Sequence, residues 1–225
     1  MNVKLLFNIL LFFMVSIGTF SQNQYQWPIK ELDTAREASY LSEKEKGIIL
    51  EMNMVRHNPA MYAQEMMKWM EAFYDDKKML TIPGKIPYLT NEGKEAYLEC
   101  MEVLSQSPPT NILKVSHGMS KACKLLVLDQ GSTGRTGHKS SSNTTPGDRL
   151  KQFGTPVGYF AENIHYGDIE PRFVVISLLI DDGVKSRGHR KTLLSNDFNF
   201  TGVAMGNHKT YGGMCVITYA QQYQE

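Results

Sequence analysis

Two histidines and a carboxylate, each in a short polar signal beside apolar sequence, carry the chemistry to expect of this chain. They are His138 in Thr136-Gly137-His138, Glu162 in Ala161-Glu162-Asn163, and His189 in Arg187-Gly188-His189-Arg190. Imidazole and carboxylate are the groups that share a proton or a metal ion near neutral pH. If the three converge they make a site. Two imidazoles and one carboxylate would leave one position of a tetrahedral zinc ion open for water. A bound ion would lower the pKa of that water to about 7. His138, Glu162 and His189 are therefore the groups that could share a proton or a divalent ion such as zinc. Ser140, Ser141 and Ser142 lie beside His138, but nothing marks one of them as an activated nucleophile.

The elements that would position these groups can be read from caps and apolar spacing. Ser42-Glu43-Lys44-Glu45 is a capping box, and Ile48, Ile49, Met52 and Val55 follow at helical intervals. Asn58-Pro59 is an N-cap followed by proline at the first helical position. The next helix carries Met61, Met66, Met67, Trp69, Met70 and Phe73. A methionine stripe can be a promiscuous binding face, but at this spacing it reads as core. Pro83-Gly84 and Pro87 mark a loop. Further helices are predicted around Glu95 to Leu104 and Met119 to Gln130. In the second of these, Leu125, Leu126 and Leu128 lie on or near the buried side and Gly131 is the stop.

Residues 131 to 146 form a long polar segment dense in Gly, Ser and Thr, and they hold His138. A loop of this length is mobile or functional. A short helix is predicted from Asp148 to Phe153, and a strand from Tyr159 to Tyr166 carries Glu162. Pro171 opens a helix over Phe173 to Asp182 that Gly183 closes. Arg187 to Arg190 enters a short helix ending at Leu194. Strands over Phe198 to Met205 and Gly213 to Tyr219 end the chain, linked by a turn that holds His208. Helices before and among a few late antiparallel strands predict an α+β layered domain.

Residues 1–21 read as an export signal rather than as part of the fold. Lys4 precedes an apolar stretch from Leu5 to Ile17, and small residues in Gly18-Thr19-Phe20-Ser21 suit cleavage after Ser21. The apolar run is shorter than the ~20 residues that span a bilayer. Residues 22–41 would then be a leader with little pattern, and 42–225 the domain. The mature protein is expected outside the cytoplasm, secreted or periplasmic. Its acidic and basic side chains balance, because the 24 basic residues include Lys4 and the 23 acids all lie later. Nothing in that charge steers the protein to nucleic acid. Cys100, Cys123 and Cys215 are an odd set without metal-binding spacing. One disulfide and a free thiol, or three buried thiols, both suit an exported chain, and the flanking apolar residues favour the latter.

Five segments, taken in order, resemble the CAP superfamily of sperm-coating and pathogenesis-related secreted proteins, in its bacterial SCP-like branch. They are Glu51-Met52-Asn53-Met54-Val55-Arg56-His57-Asn58-Pro59, His138-Lys139-Ser140-Ser141, Ala161-Glu162-Asn163-Ile164, Ser186-Arg187-Gly188-His189-Arg190-Lys191-Thr192-Leu193-Leu194, and Val203-Ala204-Met205-Gly206 followed by Cys215 to Ala220. The similarity runs from about Lys44 to Tyr219. It implies a three-layer α-β-α sandwich with a small antiparallel sheet and a surface cleft. It also implies a tetrad of two histidines and two acids in that cleft, able to bind a divalent cation. Three members match His138, Glu162 and His189. For the fourth the resemblance points to Asp181, with Asp182 as substitute, in Leu178-Leu179-Ile180-Asp181, where the family often has an aromatic pair and a glutamate. Ala161 stands where the family has glycine.

Three functional readings follow. The first is an exported binding module whose cleft takes a divalent ion or a small amphipathic ligand. The second is a metal-assisted extracellular hydrolase. The third is a protein-interaction module in which the tetrad is a satisfied polar cluster pinning the long loop to the core. Fold alone does not choose an enzyme. Of the other histidines, His57 and His117 sit at helix ends, His165 could edge the cleft, and His208 is expected in a solvated turn. Arg190 is expected to pair with Asp181 or Asp182.

Overall fold

A computed structural model describes residues 26–225. The expected export signal, residues 1–21, lies outside the described residues. Within them no helix is long and apolar enough to cross a membrane.

Among the described residues, eight α-helices and six strands follow one another. Helix α1 is Ile29–Leu32 and α2 is Glu43–His57. The capping box forms as the sequence predicts: Ser42 Oγ accepts from the Glu45 N–H, and Glu45 Oε2 accepts from the Ser42 N–H. Asn58 caps α3, Pro59–Tyr62, through the Met61 N–H at 3.0 Å. The chain then widens into a π turn, Ala63–Met67, and tightens into a 3-10 turn, Lys68–Phe73. Met67 and Met70 are fully buried, so the methionine stripe is core in its central part, while Trp69 is 39% exposed.

Strands β1, Met79–Leu80, and β2, Tyr88–Leu89, form a small hairpin before α4, Lys94–Gln106. After β3, Lys114–Val115, comes α5, His117–Thr133, and then α6, Pro146–Leu150. Strand β4 is Thr155–Tyr166, longer at its start than the sequence predicts. Helix α7 is Pro171–Ile180 and α8 is Gly188–Leu194. Strands β5, Phe200–His208, and β6, Gly212–Gln224, close the fold.

The main sheet has the order β3-β5-β6-β4. Its long strands pair antiparallel, while the two-residue β3 joins β5 in parallel. Because side chains alternate across a strand, each strand feeds two cores. On one face Val203, Met205, Cys215, Ile217 and Tyr219 pack with α2, α4, α7 and α8. On the other, Ala204, Met214, Val216 and Ile164 pack against Cys123, Leu126 and Val127 of α5. This is the three-layer α-β-α sandwich that the family resemblance implies, in the α+β class that the sequence predicts.

Four expectations are corrected. Residues 26–41 are not a patternless leader: Leu32 and Ala35 are buried in the same core as α2. Leu128 is 60% exposed and faces solvent. Helix α5 does not stop at Gly131 but runs to Thr133, capped by Gly134 in the left-handed region at φ 75°. Gly131 is needed for close approach instead, since a Cβ there would sit 2.5 Å from the Asn207 carbonyl oxygen. His208 is buried rather than solvated: its Nε2 donates to the Arg135 carbonyl, and its Nδ1 accepts from Thr210 and Tyr211 N–H groups.

All three cysteines are buried and unpaired. Burial pushes the Cys100 and Cys123 thiols up to about 12. They are small core residues, not nucleophiles.

Candidate functional site

The four tetrad candidates form two separate histidine–carboxylate pairs. In the first, His138 Nδ1 lies 3.0 Å from Glu162 Oε1. In the second, His189 Nδ1 lies 2.6 Å from Asp181 Oδ1. Neighbouring residues of β4 reach both pairs. Glu162 belongs to the first, and Asn163 Nδ2 donates to the His189 carbonyl at 3.0 Å. Consecutive side chains leave opposite faces of a strand. The two pairs therefore flank β4 from its two sides, with the long outer edge of the sheet between them.

The first pair rests on a residue that sequence reasoning passed over. Arg149 of α6 is buried, and its Nη2 donates to Glu162 Oε2 at 2.6 Å. Its Nη1 donates to the carbonyls of His138, at 3.1 Å, and Thr144, at 3.0 Å. One guanidinium thus neutralises the buried acid and ties down the loop that carries the histidine. No local signal reveals this, because Arg149 lies in an exposed-looking Gly-Asp-Arg stretch. The loop is not loose. Gln130 Nε2 donates to the Gly137 carbonyl, Tyr166 Oη accepts from the Gly137 N–H, and the Ser141 N–H and hydroxyl both bond to Asp129.

The second pair is built at a helix end. Asp181 follows α7 in the left-handed region at φ 55°, where Asp is better tolerated than most residues. That turn aims both carboxylate oxygens at α8: Oδ1 meets His189 Nδ1, and Oδ2 accepts the His189 N–H at 2.9 Å. Asp182, the substitute candidate, faces away and caps the N–H groups of Asn91 and Glu92. Arg190 pairs with neither acid. It binds Glu99 at 3.0 Å and the carbonyls of Leu179 and Ile180.

Arg187 supports the same turn, bridging Glu92, Glu99 and the Asp181 carbonyl. Its guanidinium holds Glu92 well below the usual carboxylate range, aided by Lys185, and it also lowers Glu99. Arg56 fixes the far end of α8 by donating to the carbonyls of Leu193, at 2.7 Å, and Ser195, at 2.9 Å. Burial lowers Arg56 to about 10.

In each pair the carboxylate accepts, so Nδ1 carries the proton and Nε2 is the outward nitrogen. Among the described residues neither Nε2 has a hydrogen-bond partner. The side chain of His138 is 50% exposed and that of His189 is 28% exposed. His165, on the Asn163 face of β4, has its Nε2 2.8 Å from the Asp168 carbonyl and so ties the end of the strand to the turn that follows it.

The donor set does not fit the expected three-ligand zinc site. Both Glu162 oxygens are taken by His138 and Arg149, and both Asp181 oxygens by His189. Two Nε2 atoms remain, fewer than the three protein ligands of an open zinc site. Among the described residues no group of three or more His, Cys, Asp or Glu stands ready to hold a metal. The loop serines supply no activated nucleophile: Ser140 bonds to Ser142 and Thr144, and Ser141 to Asp129.

A sandwich whose edge strand is flanked by two such pairs defines the class, and comparison with known proteins agrees. Residues 105–223 match the family model of CAP, the cysteine-rich secretory protein family. That match covers more than half of the chain, and the chain belongs to the CAP family. It includes every tetrad candidate and leaves out the Glu51 to Pro59 segment. Two solved structures are similar in part. One is an outer surface protein from Borrelia burgdorferi, with 21% identity over 56% of this chain and 90% of that one, at a TM-score of 0.43. The other is an extracellular protein containing an SCP domain from Bacillus anthracis str. Ames, with 21% identity over 52% of this chain and 35% of that one, at a TM-score of 0.41. No curated protein matches the chain.

Proposed function

We propose that this is an exported CAP-domain binding module whose ligand lies over the β4 edge, against the Nε2 atoms of His138 and His189. The observation that carries the reading is the shared arrangement of the two imidazoles. A carboxylate orients each ring through Nδ1 and leaves Nε2 outward, with no partner among the described residues. Export rests on the signal-like residues 1–21 and on family membership. An apolar surface adjoins the polar one: Phe160, 43% exposed, lies two residues before Glu162 and next to Gly147. A small amphipathic anion suits this combination, with its chain on Phe160 and its head on the imidazoles.

Sodium decanoate below its micellar concentration is a minimal probe. In the full chain, the ring Cε1–H signals of His138 and His189 should move together on one saturation curve. The signal of His208, buried in its own loop, should stay still. Two unrelated curves, or no movement of either ring, would remove the reading. A zinc titration of the same sample tests the metal alternative. Strong, equal broadening of both rings at stoichiometric zinc would favour the ion over the amphipathic ligand.

A further inference from the structure

The two edges of the main sheet are finished differently. Along β5 the outward backbone groups are used. The carbonyls of Asn199 and Thr201 accept from Lys114 and Ser116 N–H groups. Beyond β3, the Val203 N–H meets Ser120 Oγ at 3.3 Å and the Met205 N–H meets Glu45 Oε1 at 3.0 Å. Among the described residues the β4 edge has no such covering.

Parity shows which groups point away from β6 there. The Gly167 N–H donates to the Gly213 carbonyl at 2.9 Å, which makes that a hydrogen-bonded pair. In an antiparallel ladder, bonded and non-bonded pairs alternate. His165/Cys215, Asn163/Ile217 and Ala161/Tyr219 are thus bonded too, in the observed register. Glu162, Ile164 and Tyr166 therefore turn their N–H and C=O groups away from β6. Among the described residues no side chain or loop backbone takes those N–H groups. Upstream, residues 155–161 contain no charged side chain, and Val157, Tyr159 and Phe160 are 43%, 69% and 43% exposed. An edge whose outward N–H groups have no partner is a template for another strand.

We propose that the β4 edge binds an extended, acidic segment of a partner polypeptide by strand addition, so that the added strand runs between His138 and His189. This rests on the binding-module reading and gives the same edge a polypeptide ligand in place of the small anion. Backbone groups of the segment would pair with Glu162, Ile164 and Tyr166. Its side chains would alternate toward His138 on one face and His189 on the other. The acidic preference comes from charge. The carboxylates of the two pairs are engaged, whereas Arg135 and Lys139 beside His138, and Lys191 beside His189, are exposed and make no ion pair among the described residues.

The test uses the full chain and a fluorescein-labelled peptide with glutamates on both strand faces, Glu-Glu-Val-Glu-Glu-Val-Glu, followed by fluorescence anisotropy. Two controls accompany it: the same sequence with every backbone nitrogen methylated, and the Lys-for-Glu analogue. The parent peptide should bind. Backbone methylation should weaken it by about tenfold or more, the equivalent of ~1.4 kcal/mol of lost hydrogen bonding. The lysine peptide should also be weaker. In hydrogen exchange, the amides of Glu162, Ile164 and Tyr166 should slow on binding while those of Val203 and Met205 stay unchanged. Equal binding by the methylated peptide, or protection elsewhere, would overturn strand addition. If decanoate moves both histidine rings but no peptide binds, the binding-module reading stands and this one falls. If neither probe acts, both fall.

Discussion

The two histidine–carboxylate pairs present the same atom outward but are held by opposite means. The His138–Glu162 pair is anchored from below by one buried cation, since Arg149 and Glu162 side chains are 2% and 1% exposed. The Asp181–His189 pair is held by backbone geometry, a left-handed turn whose carboxylate caps the helix it faces. Its outer support is a network that opens to the surface, in which Lys185 and Glu99 are 84% and 44% exposed while Arg187 and Glu92 are 12% and 13%. An interior ion pair costs much to break on one side but is insensitive to salt. A surface network costs little to break and responds to salt and acid. One design makes a pair that fails with the fold, the other a pair that can be detuned alone.

Breaking the first pair should have the largest effect. Arg149→Met leaves Glu162 buried without its cation and frees the His138 and Thr144 carbonyls. The expected loss is about 3–5 kcal/mol, the range for uncovering one member of a buried ion pair. Urea denaturation checks it. Adding Glu162→Gln to Arg149→Met should recover part of the loss, because the uncompensated charge is gone. If the double variant is no more stable than the single, packing rather than charge explains Arg149.

The second pair should be separable from stability. Asp181→Ala removes the acceptor for His189 Nδ1 and for the His189 N–H, and places alanine at positive φ. A cost of roughly 1–3 kcal/mol is expected for the orphaned donors. Asp181→Asn keeps the turn and should cost less, while the His189 ring loses its fixed tautomer. Ring nitrogen shifts in NMR report this directly. Identical His189 shifts in wild type and Asp181→Asn would show that the carboxylate does not orient the ring.

These differences explain what could be read from sequence. Ser42 to Glu45 and Asn58-Pro59 were legible because capping is local chemistry. His138, Glu162 and His189 were legible as short motifs. Which histidine meets which acid was not, since the pairing joins residues 24 apart in one case and 8 apart in the other. Arg149 was invisible for a similar reason: its burial depends on three acceptors from two separate segments, the His138 and Thr144 carbonyls of the loop and Glu162 of β4, converging on it. His208 misled because its turn looks polar, yet the long loop folds over it and supplies the Arg135 carbonyl. The metal expectation took Glu162 as the ligand beside the two histidines. In the fold its two oxygens are spent on His138 and Arg149.

Acid should loosen the Arg187 network that braces the second pair. In the fold, Glu92 and Glu99 sit below their ordinary values because Arg187 donates to them. A depressed folded pKa stabilises the fold above the unfolded value, about 4.3, and that gain is lost as pH falls through the folded value. The Arg187 network should therefore begin to weaken below about pH 4. One molar salt should weaken it at neutral pH as well, by screening exposed charges. Arg187→Leu should flatten both responses. In amide exchange, α8 should open under these conditions while the 138–149 region stays protected. Simultaneous opening would mean that the two pairs form one cooperative unit.

The smallest effect is expected within the loop of the first pair. Ser141 donates its N–H and hydroxyl to Asp129, which looks like a staple for the segment carrying His138. Yet the same segment is held by Gln130 through Gly137 and Lys139, by Tyr166 through Gly137, and by Arg149 through His138 and Thr144. A contact backed by so many others contributes only its own net hydrogen bond, and Ser141 and Asp129 both reach solvent, which replaces it. Ser141→Ala should thus cost less than about 1 kcal/mol and leave the His138 ring shifts in place. Should Ser141→Ala release His138 from Glu162, the loop would be poised on that one hydroxyl, and the first pair would be the detunable one.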